Sequence, residues 1–454
     1  MISLTRFAAF ACAIGAVTLP LTIPAAAAVS AEEAAKLKSD LMPLGGERAG
    51  NKEGTIPAWD GGYSKVPAGF KPGQARPDPF AGEKPAFSIT AKNMEQYTQR
   101  LTEGQMALLK KYPTYRIDVY PTHRTASAPQ WVYDNTLKNA TRGKTSSDGL
   151  SVEGACGGIP FPIPKTATEV MWNHLLRWGG ESVKVGLRAY VVAGGKPVLA
   201  SETIGEMSFP NNFRDCNPDD KDLEFWQLYL LTTSPAFKAG EVILNRDPLD
   251  QVNKGRQTWQ YLVGQRRVRR APSIAYDTPN SVTSGVDFFD EAMMFNGAMD
   301  KYQWKLVGRQ ELVVPYNVNG FLLKKASDVL GPNHINPDSM RFELHRVWVV
   351  EAQLAAGKRH VLPKRRFYVD EDSWNVLWAD GWDAQGQLWH SSMALPFLAF
   401  DFPGQMQWSF VTYDNLKDSY SVNMMNETAD HYTPVPRWPA SNFTPESMAA
   451  RGVR

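Results

Sequence analysis

Val183-Lys184-Val185-Gly186-Leu187-Arg188-Ala189-Tyr190-Val191 places an apolar side chain at every second of nine positions, the signature of a half-buried β-strand. Immediately upstream the period is that of a helix. Thr166 and Glu169 form a capping-box pair, and Val170, Met171, His174, Leu175 and Trp178 make one apolar stripe that Gly179-Gly180 stops. Such a stripe is core, and His174 on it reads as a hydrogen-bonded buried histidine. The switch from helical to strand period locates the start of the sheet.

Downstream, strand-like runs recur at 198–209, 225–232, 241–245, 258–263, 302–313, 341–352, 366–369, 374–382 and 388–394. The last three are joined by Asp370-Glu371-Asp372-Ser373 and Asp383-Ala384-Gln385-Gly386-Gln387, both turn sequences read as hairpin tips. Strands with such short joints form an antiparallel meander, whose apolar face needs a cover. Helices over 168–178 and near 287–295 are available for that. No repeat of fixed period is present, which argues against a propeller. The expected class is therefore α+β, mainly β: an antiparallel meander with one or more helices covering its apolar face.

Upstream, a short amphipathic helix is expected over 31–41 and a longer one over 91–112, ended by Pro113. Between them, 43–85 is punctuated by Gly45-Gly46, Gly61-Gly62 and Pro77-Asp78-Pro79, which cannot hold regular elements for long. Ile56, Trp59, Tyr63 and Phe70 within it predict a long Gly/Pro-rich N-terminal arm packed along the body. The first residues have another purpose. Arg6 precedes an apolar stretch from Phe7 to Leu19, then Pro20, Pro24 and Ala25-Ala26-Ala27-Ala28, the pattern of a cleaved export signal. The stretch is too short to span a bilayer. The organisation read from the sequence is 1–28 signal peptide, 29–150 N-terminal arm and helix, and 151–454 sheet body with covering helices.

The net charge is +2, and removal of 1–28 takes away Arg6 and no acid, so nothing argues for nucleic acid as a partner. Cys156 and Cys216 remain, and in an oxidising compartment an even pair is expected to be bridged. Aromatics are abundant, with 14 Trp, 16 Tyr and 21 Phe, which favours large packed faces or an aromatic-lined cavity. Catalytic signatures are missing: there is no G-x-S-x-G, H-E-x-x-H, G-x-G-x-x-G or P-loop, and the seven histidines are scattered. No catalytic residue, metal site or cofactor is predicted, and ligand-binding residues are not identified. Arg266, Arg267, Arg269 and Arg270 form a basic run. As a strand it would put Arg266 and Arg270 on one face and Arg267 and Arg269 on the other, either to contact an anionic headgroup or to pair with nearby carboxylates. Asp370, Glu371, Asp372, Asp380 and Asp383 lack the glycine and closing glutamate of a calcium loop.

The stretch Gly45-Gly46-Glu47-Arg48-Ala49-Gly50-Asn51 through Thr55-Ile56-Pro57-Ala58-Trp59-Asp60-Gly61-Gly62 resembles the N-terminal signature of domain-of-unknown-function family 1329, a proteobacterial envelope family. Three more blocks match in order: Gly158-Ile159-Pro160-Phe161-Pro162 leading to Trp172-Asn173-His174, Gly264 through Pro272, and Tyr368-Val369-Asp370-Glu371-Asp372-Ser373-Trp374. The resemblance implies a half-barrel like the lipoprotein carriers LolA and LolB, whose curved sheet wraps helices around an apolar cavity. It also implies, as partners, an exporter of the resistance-nodulation-division type and an outer-membrane protein. The resulting expectation is a non-enzymatic periplasmic carrier or accessory protein for a hydrophobic small molecule or lipid. The alternative is a structural or interaction protein that docks to a transporter.

Overall fold

The computed structural model describes residues 28–451; the expected signal over 1–28 lies outside them apart from Ala28. The strands, in chain order, are β1 Phe87–Ile89, β2 Ile117–Val119, β3 Lys144–Thr145, β4 Val152–Glu153, β5 Ser182–Ala193 and β6 Lys196–Ser208. Next come β7 Glu224–Ser234, β8 Val242–Pro248, β9 Gln257–Leu262, β10 Arg267–Arg270, β11 Tyr302–Pro315 and β12 Phe342–Leu354. The last six are β13 Lys364–Asp370, β14 Val376–Trp382, β15 Leu388–Ala399, β16 Gly404–Asp414, β17 Ser419–Met424 and β18 Thr433–Pro434.

The fold is mainly β, built on one large, curved, unclosed sheet. Two antiparallel meanders, β5 to β10 and β11 to β17, meet where β17 pairs with β5. The sheet therefore runs β11-β12-β13-β14-β15-β16-β17-β5-β6-β7-β8-β9-β10, with β1 and β2 added beside β12. β10 and β11 are consecutive in the chain yet stand at opposite edges. Residues 271–301 connect them.

β5 alternates as its sequence requires from Val183 to Ala189. A bulge between Ala189 and Tyr190 then reverses the phase, so that Val192 is buried and Val191 only partly so. Gly194 and Gly195, at φ 56° and 76°, make the two-residue turn into β6 that residues with a Cβ adopt poorly. Helix Ala167–Leu175 keeps its capping box, with the Thr166 hydroxyl accepting from Glu169 N and the Glu169 carboxylate accepting from Thr166 N. Its main packing is on β11 and β12.

Several expectations are corrected. The helix expected over 91–112 is broken into a 3-10 turn, Met94–Arg100, and a helix, Glu103–Lys111, because Thr102 caps the second piece. The element near 287–295 is a kinked 3-10 turn, Phe289–Met294. Helix Gln130–Arg142 and strands β16 and β17 lie outside the expected elements, although Gln405-Met406-Gln407-Trp408-Ser409-Phe410 and Ser419-Tyr420-Ser421-Val422-Asn423-Met424 alternate as strands do. Asp383 does sit at an exposed hairpin tip, but Asp370, Glu371, Asp372 and Asp380 are all buried.

Those buried acids fasten the arm. Asp372 accepts from Arg124 Nε at 2.8 Å and Nη2 at 2.6 Å, and Glu371 accepts from Arg346 Nε at 2.5 Å. The same arginines reach backbone carbonyls of the arm: Arg124 Nη2 donates to Glu47 O at 2.7 Å and Arg346 Nη2 to Ala49 O at 2.7 Å. Trp374 Nε1 donates to Leu44 O at 2.8 Å. Further along, Arg76 pairs with Asp401 at 2.6 Å and donates to His431 O. Thus 43–85 is an ordered strap of chain held by arginine forks, which satisfy carbonyls that no helix or sheet provides for.

Replacing Arg124 by Met leaves Asp372 buried and unpaired, which costs about 3–5 kcal/mol. Urea unfolding should show that loss, and limited proteolysis should cut the variant first within 43–85.

Candidate functional site

The segment 271–301 determines the interior. To join the two sheet edges it runs across the concave face, and buried carboxylates pin it as it goes. Asp287 accepts from Ser421 Oγ of β17 at 2.6 Å, and Glu291 meets His390 Nδ1 of β15 at 2.8 Å. Asp290 accepts from Arg365 Nη1 of β13 at 2.7 Å and from His360 Nε2 at 2.9 Å. The Arg365 charge and the His360 hydrogen bond outweigh burial and hold Asp290 well below the usual carboxylate range. Past these anchors the segment kinks: Met293 and Met294 adopt left-handed φ of 52° and 77°, a conformation side chains with a Cβ rarely take.

Beneath this kink two chambers abut, sharing Trp226, Met293, Asn296 and Trp408. The first is apolar, lined by Leu187, Leu228, Leu230, Ile243, Phe289, Ala292 and Phe410 among others. It has a free volume of ≈ 70 Å³ within a space of ≈ 600 Å³ that includes its mouth. The second adds Leu175, Arg177, Trp178, Phe209, Phe225, Gln405, Gln407 and Tyr432, with a free volume of ≈ 30 Å³ in a space of ≈ 490 Å³ that also includes its mouth. Free volumes this narrow suit a slender ligand. A broader groove, with a free volume of ≈ 520 Å³, lies between Gly54–Pro57 of the arm and Phe87, Tyr97, Val119 and Leu344. It is an open surface feature, and its cation, Arg100, already pairs with Glu53 and Glu311.

Of these lining residues the sequence periods had marked Leu187, on the alternating strand, and Leu175 and Trp178, on the helical stripe; one further signal was present. Residues 226, 228 and 230 of β7 are apolar, and so are 229 and 231. Trp226, Leu228 and Leu230 face the chamber, while Tyr229 and Leu231 join a second cluster under the C-terminal residues Phe443 and Met448. Only a strand covered on both faces carries that pattern.

Cys156 and Cys216 form a disulfide across a Cα–Cα distance of 6.2 Å. It ties the loop before helix Ala167–Leu175 to the β6–β7 connection, whose ends, Phe209 and Phe225, line the second chamber. The basic run lies elsewhere, at the free edge of the sheet. Arg266 has a left-handed φ of 48° and ends a 3-10 turn, so the strand begins one residue later than expected. Arg267 and Arg269 share one face; Arg270 shares the other with Val268 and lies over the Trp259 ring. Arg267, Arg269 and Arg270 are exposed, and among the described residues no carboxylate pairs with any of the four, contrary to one of the two sequence expectations. His345, Asp370 and Asp372 bring ligand atoms within 4.8 Å of one another. Both Asp372 oxygens are taken by Arg124, and Asp370 Oδ2 accepts from Tyr316 and Ser373, so arginine already supplies the positive charge a metal would bring.

Residues 88–449 match the family described as Protein of unknown function (DUF1329). The chain belongs to this family. It is 40% identical over 440 residues to the Uncharacterized protein PA3922 of Pseudomonas aeruginosa, covering 94% of this chain and 95% of that one. Among solved structures it is similar to a DUF1329 family protein of Desulfovibrio piger, at 13% identity and TM-score 0.41, covering 59% of this chain and 92% of that one. It is also similar to a LolA superfamily protein of Nitrosomonas europaea, at 12% identity and TM-score 0.37, over 62% and 98% of the two chains. Of the DUF1329 blocks quoted above, three converge in space. Leu44–Gly46 lies against Trp374 and Asp372, Gly45 packs on Pro162 O, and Asn173 exchanges hydrogen bonds with the Phe161 backbone. The fourth is the arginine edge.

His174 is fully buried at this junction. Its Nδ1 accepts from Val376 N at 3.2 Å and its Nε2 donates to Phe295 O at 3.1 Å. Burial, helped by the nearby Arg177 charge, holds it neutral, well below the ordinary 6.5. The unfolded chain therefore binds a proton that the folded one refuses, and stability falls as pH drops through 6.5. From pH 7 to 5 one such group withdraws about 2 kcal/mol. His174→Gln should remove that part of the pH slope, as read by urea unfolding at several pH values.

Proposed function

We propose that the protein is a periplasmic, non-enzymatic carrier that shields a hydrophobic, lipid-like ligand in support of an envelope transport system. The observation that carries this reading is the pair of chambers under the kinked segment, walled by Trp226, Leu228, Leu230, Ile243, Trp408 and Phe410. Natural interiors pack without such gaps, so apolar space retained in the middle of a core this large is space for a guest. An apolar ligand gains about 25 cal/mol for each Å² it removes from water there. Met293, unbranched and flexible, stands at the partition and can re-pack around ligands of different shape. Among the described residues no helix is long and apolar enough to cross a membrane.

Organic extraction of protein purified from the periplasm, followed by mass spectrometry, should release a stoichiometric apolar molecule. Ala292 lines the first chamber, and Ala292→Phe fills it without burying a charge. This variant should keep the wild-type circular dichroism and lose binding of an environment-sensitive hydrophobic probe. Equal probe binding by a folded variant would exclude the chamber as the ligand site and leave the interaction-protein alternative in its place.

The arginine edge fits the same reading as a contact for anionic headgroups when the carrier meets a membrane. Guanidinium forks suit such oxyanions, and these are left without carboxylate partners. Sedimentation with phosphatidylglycerol vesicles should pull down the protein at low salt, release it at high salt, and fail with the triple variant Arg267→Gln, Arg269→Gln, Arg270→Gln. Salt-insensitive binding would remove the edge from the proposal.

A further inference from the structure

The two chambers differ in chemistry, and the difference specifies the guest. The first is mainly apolar, and its one cation, Arg256, is already paired with Asp247 at 2.6 Å. The second holds Arg177, which follows helix Ala167–Leu175 and has no carboxylate within ion-pairing reach among the described residues. Its Nη1 donates to His174 O and its Nη2 to Gln407 Oε1 at 3.3 Å, so the guanidinium is fixed in place but its charge is not neutralised. Burial pulls it down to about 10, with only Tyr432 acting in the other direction, and it stays cationic at any physiological pH. The deeply buried arginines described above, at 76, 124, 346 and 365, each face an aspartate or glutamate. Arg177, partly buried where it lines the cavity, faces none among the described residues.

More unsatisfied donors surround it. Trp226 Nε1, Trp408 Nε1 and Gln407 Nε2 are buried without a protein hydrogen-bond partner, and all three residues line the second chamber. Trp226 and Trp408 also form the partition to the apolar chamber. Against these three donors and one cation, a single unpartnered acceptor, Gln405 Oε1, lines the same space. A site with this balance takes an anion that accepts several hydrogen bonds. One guanidinium balances one negative charge; a dianionic phosphate monoester would leave a second charge buried and unpaired, which a dry interior resists.

We propose that the second chamber holds the carboxylate of a single-chain anionic amphiphile, of the fatty-acid class, on Arg177, with its alkyl tail passing Met293 into the apolar chamber. This rests on the carrier reading and narrows it to a ligand class. Two-chain lipids do not suit a free volume of ≈ 70 Å³ in the tail chamber, whereas one extended chain does.

Displacement of a neutral hydrophobic probe tests the headgroup separately from the carrier function. Laurate should displace it at least about tenfold more tightly than dodecanol, the gain expected of a charge-assisted hydrogen bond. Quenching of tryptophan fluorescence should accompany binding, since Trp178, Trp226 and Trp408 line the site. Arg177→Gln should lower laurate affinity to that of dodecanol while leaving dodecanol unchanged, and Arg177→Lys should restore part of the difference. If laurate and dodecanol bind wild type equally, or if dodecyl phosphate binds more tightly than laurate, the carboxylate assignment is overturned and the carrier reading survives. If neither the probe nor any amphiphile binds, the carrier reading falls and takes the assignment with it. Should Arg177→Gln not fold, the comparison of laurate with dodecanol on wild type decides alone.

Discussion

An open sheet whose two edges are joined by consecutive chain imposes one requirement on everything else: something must cross the concave face. Here β10 and β11 stand at opposite edges, and the segment between them traverses the mouth. A crossing segment without a ladder to join must find partners for its polar groups in an interior where each unmet one is costly. The chain solves this with acids. Asp287, Asp290 and Glu291 reach β17, β13 and β15 in turn, and a hydroxyl, an arginine or a histidine waits at each. Such contacts define a path without filling volume. The apolar space left between the crossing segment and β5, β7, β8 and β16 is thus a consequence of how the sheet fails to close.

The same device fastens the outer arm. Arg124 and Arg346 sit between acids on the β13–β14 connection and carbonyls on Glu47 and Ala49, so each guanidinium is shared between a charge and a backbone. An apolar contact could hold the arm but not specify its register. A planar fork with fixed donor directions does both. This explains why glycines cluster there: a Cβ on Gly45 would meet Pro162 O at 2.1 Å and one on Gly46 would meet Asp372 at 2.7 Å. The close approach is the condition for the fork to reach.

Where the sequence could be read correctly, the deciding contacts were local. The 183–191 strand and the Thr166–Glu169 capping box depend on neighbours a few residues away; both form where they were placed, the strand keeping its expected alternation as far as the bulge after Ala189. The packed arm was legible from its aromatics. What escaped reading depends on distant partners. Asp370-Glu371-Asp372-Ser373 has the composition of a solvated turn, and only arginines at 124 and 346 make it an interior one. β16 and β17 alternate polar and apolar residues and were legible by the rule that placed β5; what the alternation does not show is that their polar half, Gln405, Gln407 and Asn423 among it, is buried as well. The chambers as a whole were illegible because their walls come from β5, β7, β8, β16 and the crossing segment, far apart in sequence.

Access to the chambers follows from where the crossing segment is held. Its anchors fall at 287, 290 and 291, and lifting them would strand buried acids without partners, a cost too large for routine opening. The residues just beyond, Ala292, Met293 and Met294, interrupt the helical turn and carry the left-handed backbone, so the strain lies next to the anchors and not on them. Ala292 and Met293 line the apolar chamber, and Met293 also lines the polar one. On the carrier reading proposed above, a guest would enter by re-packing one flexible side chain and a short kinked stretch, with the anchors at 287, 290 and 291 intact. The acids that keep the segment in place thereby stop short of the residues that line the chambers.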